Sequence, residues 1–215
     1  MRQEKNYLGE VNRTLNIRGA ALLKIFIVFA IILSANHAYC SEDVQKEGRT
    51  SDRFFTEMGF ITGFGSGNIP EGTYQPILLI GHFGVDMKRY FQGLKDHRGT
   101  LSVFLEPQFN PVFSPQTDFE LGVGVGIQYM YPVMDKLSIY VLGSVGPHYI
   151  SLVTSQQATG FIFSDTIGAG LYYYLTKDSA INAGYRLRHI SNANCASPNL
   201  GINTNFGVIG YSVFF

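Results

Sequence analysis

Between Asp118 and Tyr131 the chain alternates without a break: Phe119, Leu121, Val123, Val125, Ile127 and Tyr129 fall between Asp118, Glu120, Gly122, Gly124, Gly126 and Gln128. A strict period of two sends one set to each face of a strand, and no helix can use it. Eight stretches read as strands: 54–64, 74–86, 100–110, 118–131, 137–149, 161–175, 180–191 and 202–215. Turns rich in Gly, Pro, Asn or charge separate them. An even number of strands of ~9–11 residues or more, each with one apolar face, is what a closed membrane barrel requires. The run Pro76 to Ile80 is apolar throughout, so its facing is ambiguous.

Composition supports the same class. The chain holds 17 Phe and 13 Tyr but no Trp, together with 24 Gly. The polar faces collect Glu57, Glu106, Asp118, Glu120, Arg186 and Arg188, which predicts an interior filled by paired charges. Eight strands leave room for side chains but not for a wide channel. The fold expected over residues 54–215 is therefore all-β, an eight-stranded antiparallel transmembrane β-barrel in the bacterial outer membrane. A soluble lipocalin-like barrel would turn the apolar face inward and leave the Tyr-rich strand ends unexplained.

The first forty residues read as a signal peptide. Arg2, Lys5, Arg13, Arg18 and Lys24 precede an apolar run from Ile25 to Leu33, and Ala38-Tyr39-Cys40 offers a small-x-small cleavage site. The run is shorter than the ~20 residues of a membrane helix. Residues 41–53 are charged and featureless, as a flexible periplasmic leader would be. Removal of residues 1–40 leaves 11 basic against 14 acidic residues, and nothing suggests nucleic acid as a partner. It also leaves Cys195 as a lone thiol without metal-ligand spacing around it. No metal and no cofactor are implied. His82, His97 and His148 are expected in loops or in the lumen.

The last thirty-one residues depart from plain scaffold. Ile181, Ala183, Tyr185 and Leu187 form an apolar face that His189 and Ser191 continue, and on the closing strand Asn203 and Asn205 share a row with Ile209, Tyr211, Val213 and Phe215. Polar groups thus sit on the greasy side of a sheet. The segments His189-Ile190-Ser191-Asn192-Ala193 and Pro198-Asn199-Leu200-Gly201-Ile202, followed by a strand ending in Phe215, resemble the outer-membrane lipid A 3-O-deacylase family of PagL type. The resemblance implies a serine esterase that removes the 3-O acyl chain from the lipid A of lipopolysaccharide, with that lipid and the surrounding outer-membrane lipid as its partners. One residue departs from the family pattern: its acid after the motif's Ile is here Asn203.

Residues i and i+2 of a strand point the same way, so Ser191 is placed as nucleophile and His189 as general base. With both termini periplasmic, the seventh strand runs outward and sets the pair at the outer rim, facing lipid. The group that orients the imidazole stays open between two candidates. Hairpin register puts Asn203 or Asn205 opposite His189 or Ser191, while Asp165 on the sixth strand lies opposite one of the same two residues. Asn192, Asn199 and the loop's backbone amides are candidates for an oxyanion hole, Asn199 chiefly through the resemblance. A non-catalytic structural or adhesion barrel is the competing reading, and whether the barrel forms a homodimer is left open.

Overall fold

The computed structural model describes residues 53–215. The expected signal peptide and the leader up to Asp52 lie outside the described residues. Nine strands follow one another: β1 (Glu57–Ile69), β2 (Gly72–Tyr74), β3 (Ile77–Asp86), β4 (Thr100–Val112), β5 (Asp118–Met134), β6 (Leu137–Ile150), β7 (Gly160–Thr176), β8 (Ser179–Ser191) and β9 (Ile202–Phe214). β2 and β3 both pair antiparallel with β1, each later strand pairs antiparallel with the one before it, and β9 returns to β1 from Glu57↔Phe214 to Ser66↔Asn205. The sheet is a closed barrel of eight strands. The ninth, β2, is the upper piece of the arm that β3 continues.

Pro76 explains that division, because it has no N–H to give to a ladder. At this point the arm shifts its bonds to the next connection: Gln75 N–H donates to Ser114 O and Phe113 N–H to Gln75 O, both at 3.0 Å. The expected second strand, 74–86, is broken there. Its ambiguous facing resolves with Leu78 and Ile80 turned inward onto Ile61, Phe206 and Val208. Glycines on β1 make the room: a Cβ on Gly65 would come within 2.2 Å of the Phe206 ring, and one on Gly63 within 2.7 Å of the Val208 side chain.

The outward face is the apolar one. Leu121, Val125, Ile127, Val141, Val145 and Ile167 are all exposed, as strands crossing lipid require. The lumen is packed with paired charges. Arg186 donates two hydrogen bonds to Glu106, at 2.7 and 2.9 Å, and His82 Nδ1 lies 2.9 Å from the same carboxylate. Arg188 makes the corresponding pair of bonds to Glu120, at 2.7 and 2.8 Å, with Asn110 Nδ2 adding a third at 3.0 Å. Glu57 accepts from the Tyr172 hydroxyl at 2.9 Å. Asp118 differs from the other acids expected inside. It sits at the upper end of β5, where it accepts from Ser151 Oγ at 2.5 Å and Gln116 Nε2 at 2.8 Å. His82 and His148 are lumenal and buried, while His97 lies in the β3–β4 connection.

Above the ion pairs an apolar plug of Ile69, Tyr74, Val112, Ile150, Leu152, Ile162, Ile190 and Ile202 closes the upper lumen. It anchors the ends of the strands that carry the C-terminal motif. The loops above it are tied together as well. The Glu71 carboxylate accepts from Ser155 N–H at 2.5 Å, and that bond holds its carboxyl below the usual carboxylate range.

Breaking a buried ion pair strands one charge, whereas replacing both partners does not. Glu106→Ala is predicted to destabilise the barrel by about 3–5 kcal/mol, read as a lower temperature for loss of the compact gel form. Glu106→Met combined with Arg186→Met should cost less than the single change. An equal or larger loss in the double variant would show that the pairing is not what stabilises the lumen.

Candidate active site

The strands hand one lateral row of residues around the outer face. Pairing runs Val125↔Val145, Val145↔Asp165, Asp165↔His189 and His189↔Asn203. The row is apolar on β5 and β6 and polar on β7, β8 and β9. Side chains directly opposed in an antiparallel pair have Cβ atoms about 4.5–5.5 Å apart, so the imidazole is flanked by a carboxylate on one side and an amide on the other. Asp165 and Asn203 are exposed on the lipid face, and His189 and Ser191 are half-buried. Between them the chain dips inward at Ile190 and Ile202, both within the plug.

The two flanking groups are used differently. His189 Nδ1 lies 2.8 Å from Asn203 Oδ1. An amide oxygen only accepts, so Nδ1 carries the proton and Nε2 is left as the basic nitrogen. The Asp165 carboxylate makes no hydrogen bond among the described residues and borders an outer groove instead. Of the registers left open in the sequence, Asn203 is opposite His189, and Asn205 is opposite Leu187. Ser191 is opposite Phe163. Its hydroxyl makes no hydrogen bond to the imidazole among the described residues; nucleophile–base bonds of this kind commonly close around substrate.

The loop over the site is locked by its asparagines. Ala193 and Asn194 adopt left-handed φ of 51° and 64°, where Asn costs little. Asn192 is buried, its Nδ2 donating to Ala196 O at 2.9 Å. Its backbone N–H donates to Asn199 Oδ1 at 2.7 Å, and Asn199 Nδ2 donates to Asn194 Oδ1 at 3.0 Å. Asn192 therefore shapes the loop from within, while Asn199 keeps one amide hydrogen unused. Cys195 is exposed in this loop.

Gly201 closes the imidazole's other edge, a role that motif spacing alone did not reveal. Its φ is +73°, and a Cβ there would stand 2.5 Å from His189 Cε1 and 2.9 Å from Nε2. Only glycine suits both the conformation and the space.

Beside the polar row lies a groove of about 750 Å³, bordered by Val125, Ile127, Val145, Ile167 and Leu187 together with Asp165, His189 and Asn203. Gly143 on β6 helps form its floor: a Cβ there would meet only Thr166 O, 4.0 Å away. The arrangement is an apolar slot on the lipid side that reaches the His189 imidazole, the Asp165 carboxylate and the Asn203 amide, with Ser191 two residues beyond His189 on β8.

Comparison with known proteins identifies the fold and the family. The chain shares its fold with the crystal structure of the outer membrane enzyme PagL, with a TM-score of 0.52 and 18% identity, covering 72% of this chain and 99% of that one. It is similar in fold also to the crystal structure of Neisserial surface protein A, NspA, with a TM-score of 0.52 and 12% identity, covering 74% of this chain and 96% of that one. No curated protein sequence matches the chain. The family model described as lipid A 3-O-deacylase (PagL) matches residues 88–212, more than half of the chain and the whole of the polar row. The protein is a bacterial outer-membrane β-barrel and belongs to the lipid A 3-O-deacylase (PagL) family.

Proposed function

We propose that this chain is a serine esterase that hydrolyses the 3-O ester of lipid A from within the outer leaflet. The observation that carries the reading is the row Asp165–His189–Asn203 on the lipid face, two residues from Ser191 and open to an apolar groove. An acyl chain lying in that groove would bring its ester carbonyl to the rim.

In this mechanism Nε2 of His189 takes the proton from Ser191 Oγ as the oxygen attacks the acyl carbonyl. The tetrahedral oxyanion is met by the unused amide hydrogen of Asn199. Collapse breaks the bond to the sugar oxygen, which leaves with the proton from Nε2. Water, deprotonated by the same nitrogen, then attacks the acyl-serine and frees the fatty acid. Asn203 fixes the Nδ1–H tautomer throughout, but an amide cannot balance the imidazolium that forms. Asp165 supplies that charge. An ionised side chain facing lipid is costly unless it has a partner, and His189 is its cross-strand neighbour.

Cells producing the wild-type chain should yield lipid A lighter by one 3-O acyl chain in mass spectra. Ser191→Ala should abolish the change while the heat-dependent gel shift of the folded barrel remains. Lipid A left intact by the wild-type chain would leave a structural barrel as the better reading, in line with the amide at position 203.

Asp165→Asn is predicted to slow hydrolysis by ~10²–10⁴, and adding Asn203→Glu should recover part of that loss by returning a carboxylate to His189. An Asp165→Asn variant as active as wild type would remove the aspartate from the mechanism. Gly201→Ala should lower kcat with little change in KM, since its methyl displaces the imidazole and not the acyl groove. An unchanged kcat would show that the ring tolerates the displacement.

A further inference from the structure

A second depression lies on the same outer face, across a ridge from the first. It measures about 510 Å³ and is bordered by Thr62 and Phe64 of β1, Ala183 of β8, and Gly207 and Ile209 of β9. Along β9 the outward row reads Asn203, Asn205, Gly207, Ile209, so the depression begins two residues below Asn205 and four below the partner of His189. Gly207 is its floor: a Cβ there would meet no atom within 4 Å. The ridge is polar. Tyr185 Oη donates to Asn205 Oδ1 at 2.5 Å, and Ser66 of β1 is opposite Asn205 on the other side. Asn205 also borders the larger groove, so one amide stands between two apolar slots.

Polar groups facing lipid are costly and ask for a partner. With its oxygen held by Tyr185, the exposed Asn205 keeps its Nδ2 hydrogens without a hydrogen bond among the described residues, free to meet an acceptor. The chemistry of the substrate supplies one. In lipid A the glucosamine acylated at oxygen 3 also carries an amide-linked acyl chain on the adjacent carbon 2. Asn205 is opposite Leu187, two residues below His189 on β8, so with the ester at His189 and its chain in the larger groove the neighbouring amide would reach the ridge.

We propose that the depression floored by Gly207 and Ala183 is a subsite for the amide-linked acyl chain of the same glucosamine, with Asn205, held by Tyr185, hydrogen-bonding that amide's carbonyl. The enzyme then recognises a pair of chains on one sugar, cleaving the ester-linked member and gripping the other. This subsite rests on the esterase reading above. Because the slot competes with lipid rather than with water, its contribution comes from packing and from the amide bond and not from dehydration.

The test compares two 3-O-acylated glucosamines that differ only at nitrogen, one with a long amide-linked chain and one N-acetylated, using the purified full-length barrel in detergent micelles. Wild type should favour the long-chain substrate by roughly tenfold in kcat/KM. Gly207→Phe and the milder Ala183→Leu, each checked for folding by the gel shift, should bring that ratio close to one. A wild-type ratio already near one overturns the subsite and leaves the esterase standing, as does a tenfold preference that survives in a folded variant. If wild type hydrolyses neither compound, the esterase reading falls and the subsite with it.

Discussion

Closure of β9 onto β1 is the constraint on which the rest depends. In hydrocarbon every backbone N–H and C=O needs a partner within the protein, so an open edge is not tolerated. The pairing from Glu57↔Phe214 to Ser66↔Asn205 removes the last edge. Once the ring is closed at eight strands, the lumen is too narrow for water to solvate charge freely, and each inward ion must find an inward partner. The two arginines of β8 do so with carboxylates from β4 and β5. Inward glycines on β1 and β5 accommodate the larger side chains that cross between strands. A Cβ on Gly126, for example, would meet Phe104 at 2.5 Å.

The same closure fixes where chemistry can be done. Parity allows the upper ends of β8 and β9 only two destinations for a side chain, the plug or the lipid. Ile190 and Ile202 take the first, and His189, Ser191 and Asn203 the second. A barrel with a filled lumen has no interior site to offer, so the polar groups of the C-terminal motif stand on the outside wall.

Much of this was legible in the sequence, because period two is nearly free of tertiary context when one face meets lipid. The strand count, the outward row and the rim position of His189 all followed from alternation. It failed where alternation carries no information. The all-apolar run at Pro76–Ile80 could face either way, and only the space left by Gly63 and Gly65 decides it. Asp118 had lumenal parity yet sits too high on β5 to reach a guanidinium. Register between neighbouring strands depends on turn geometry, so sequence could name Asn203, Asn205 and Asp165 without choosing which faces His189. The burial of Asn192 and the closeness of Gly201 to the imidazole arise from a loop with three left-handed residues, which no periodic pattern encodes.

The amide at position 203 has an electrostatic context that the lumen supplies. Arg188 is the residue before His189 and points the opposite way, into the barrel. An unmatched guanidinium behind the ring would oppose an imidazolium across a thin, poorly screening wall. Glu120 prevents this, binding Arg188 through two short hydrogen bonds with Asn110 behind it. The inner side of the wall is therefore locally neutral, and in the proposed mechanism the charge that would form on His189 is left to the groups on the outer side. Those are an amide that sets the ring and a carboxylate that faces it across the next strand. Dividing the roles of one acid between two neighbours is possible here because the barrel brings β7 and β9 to opposite sides of the same histidine.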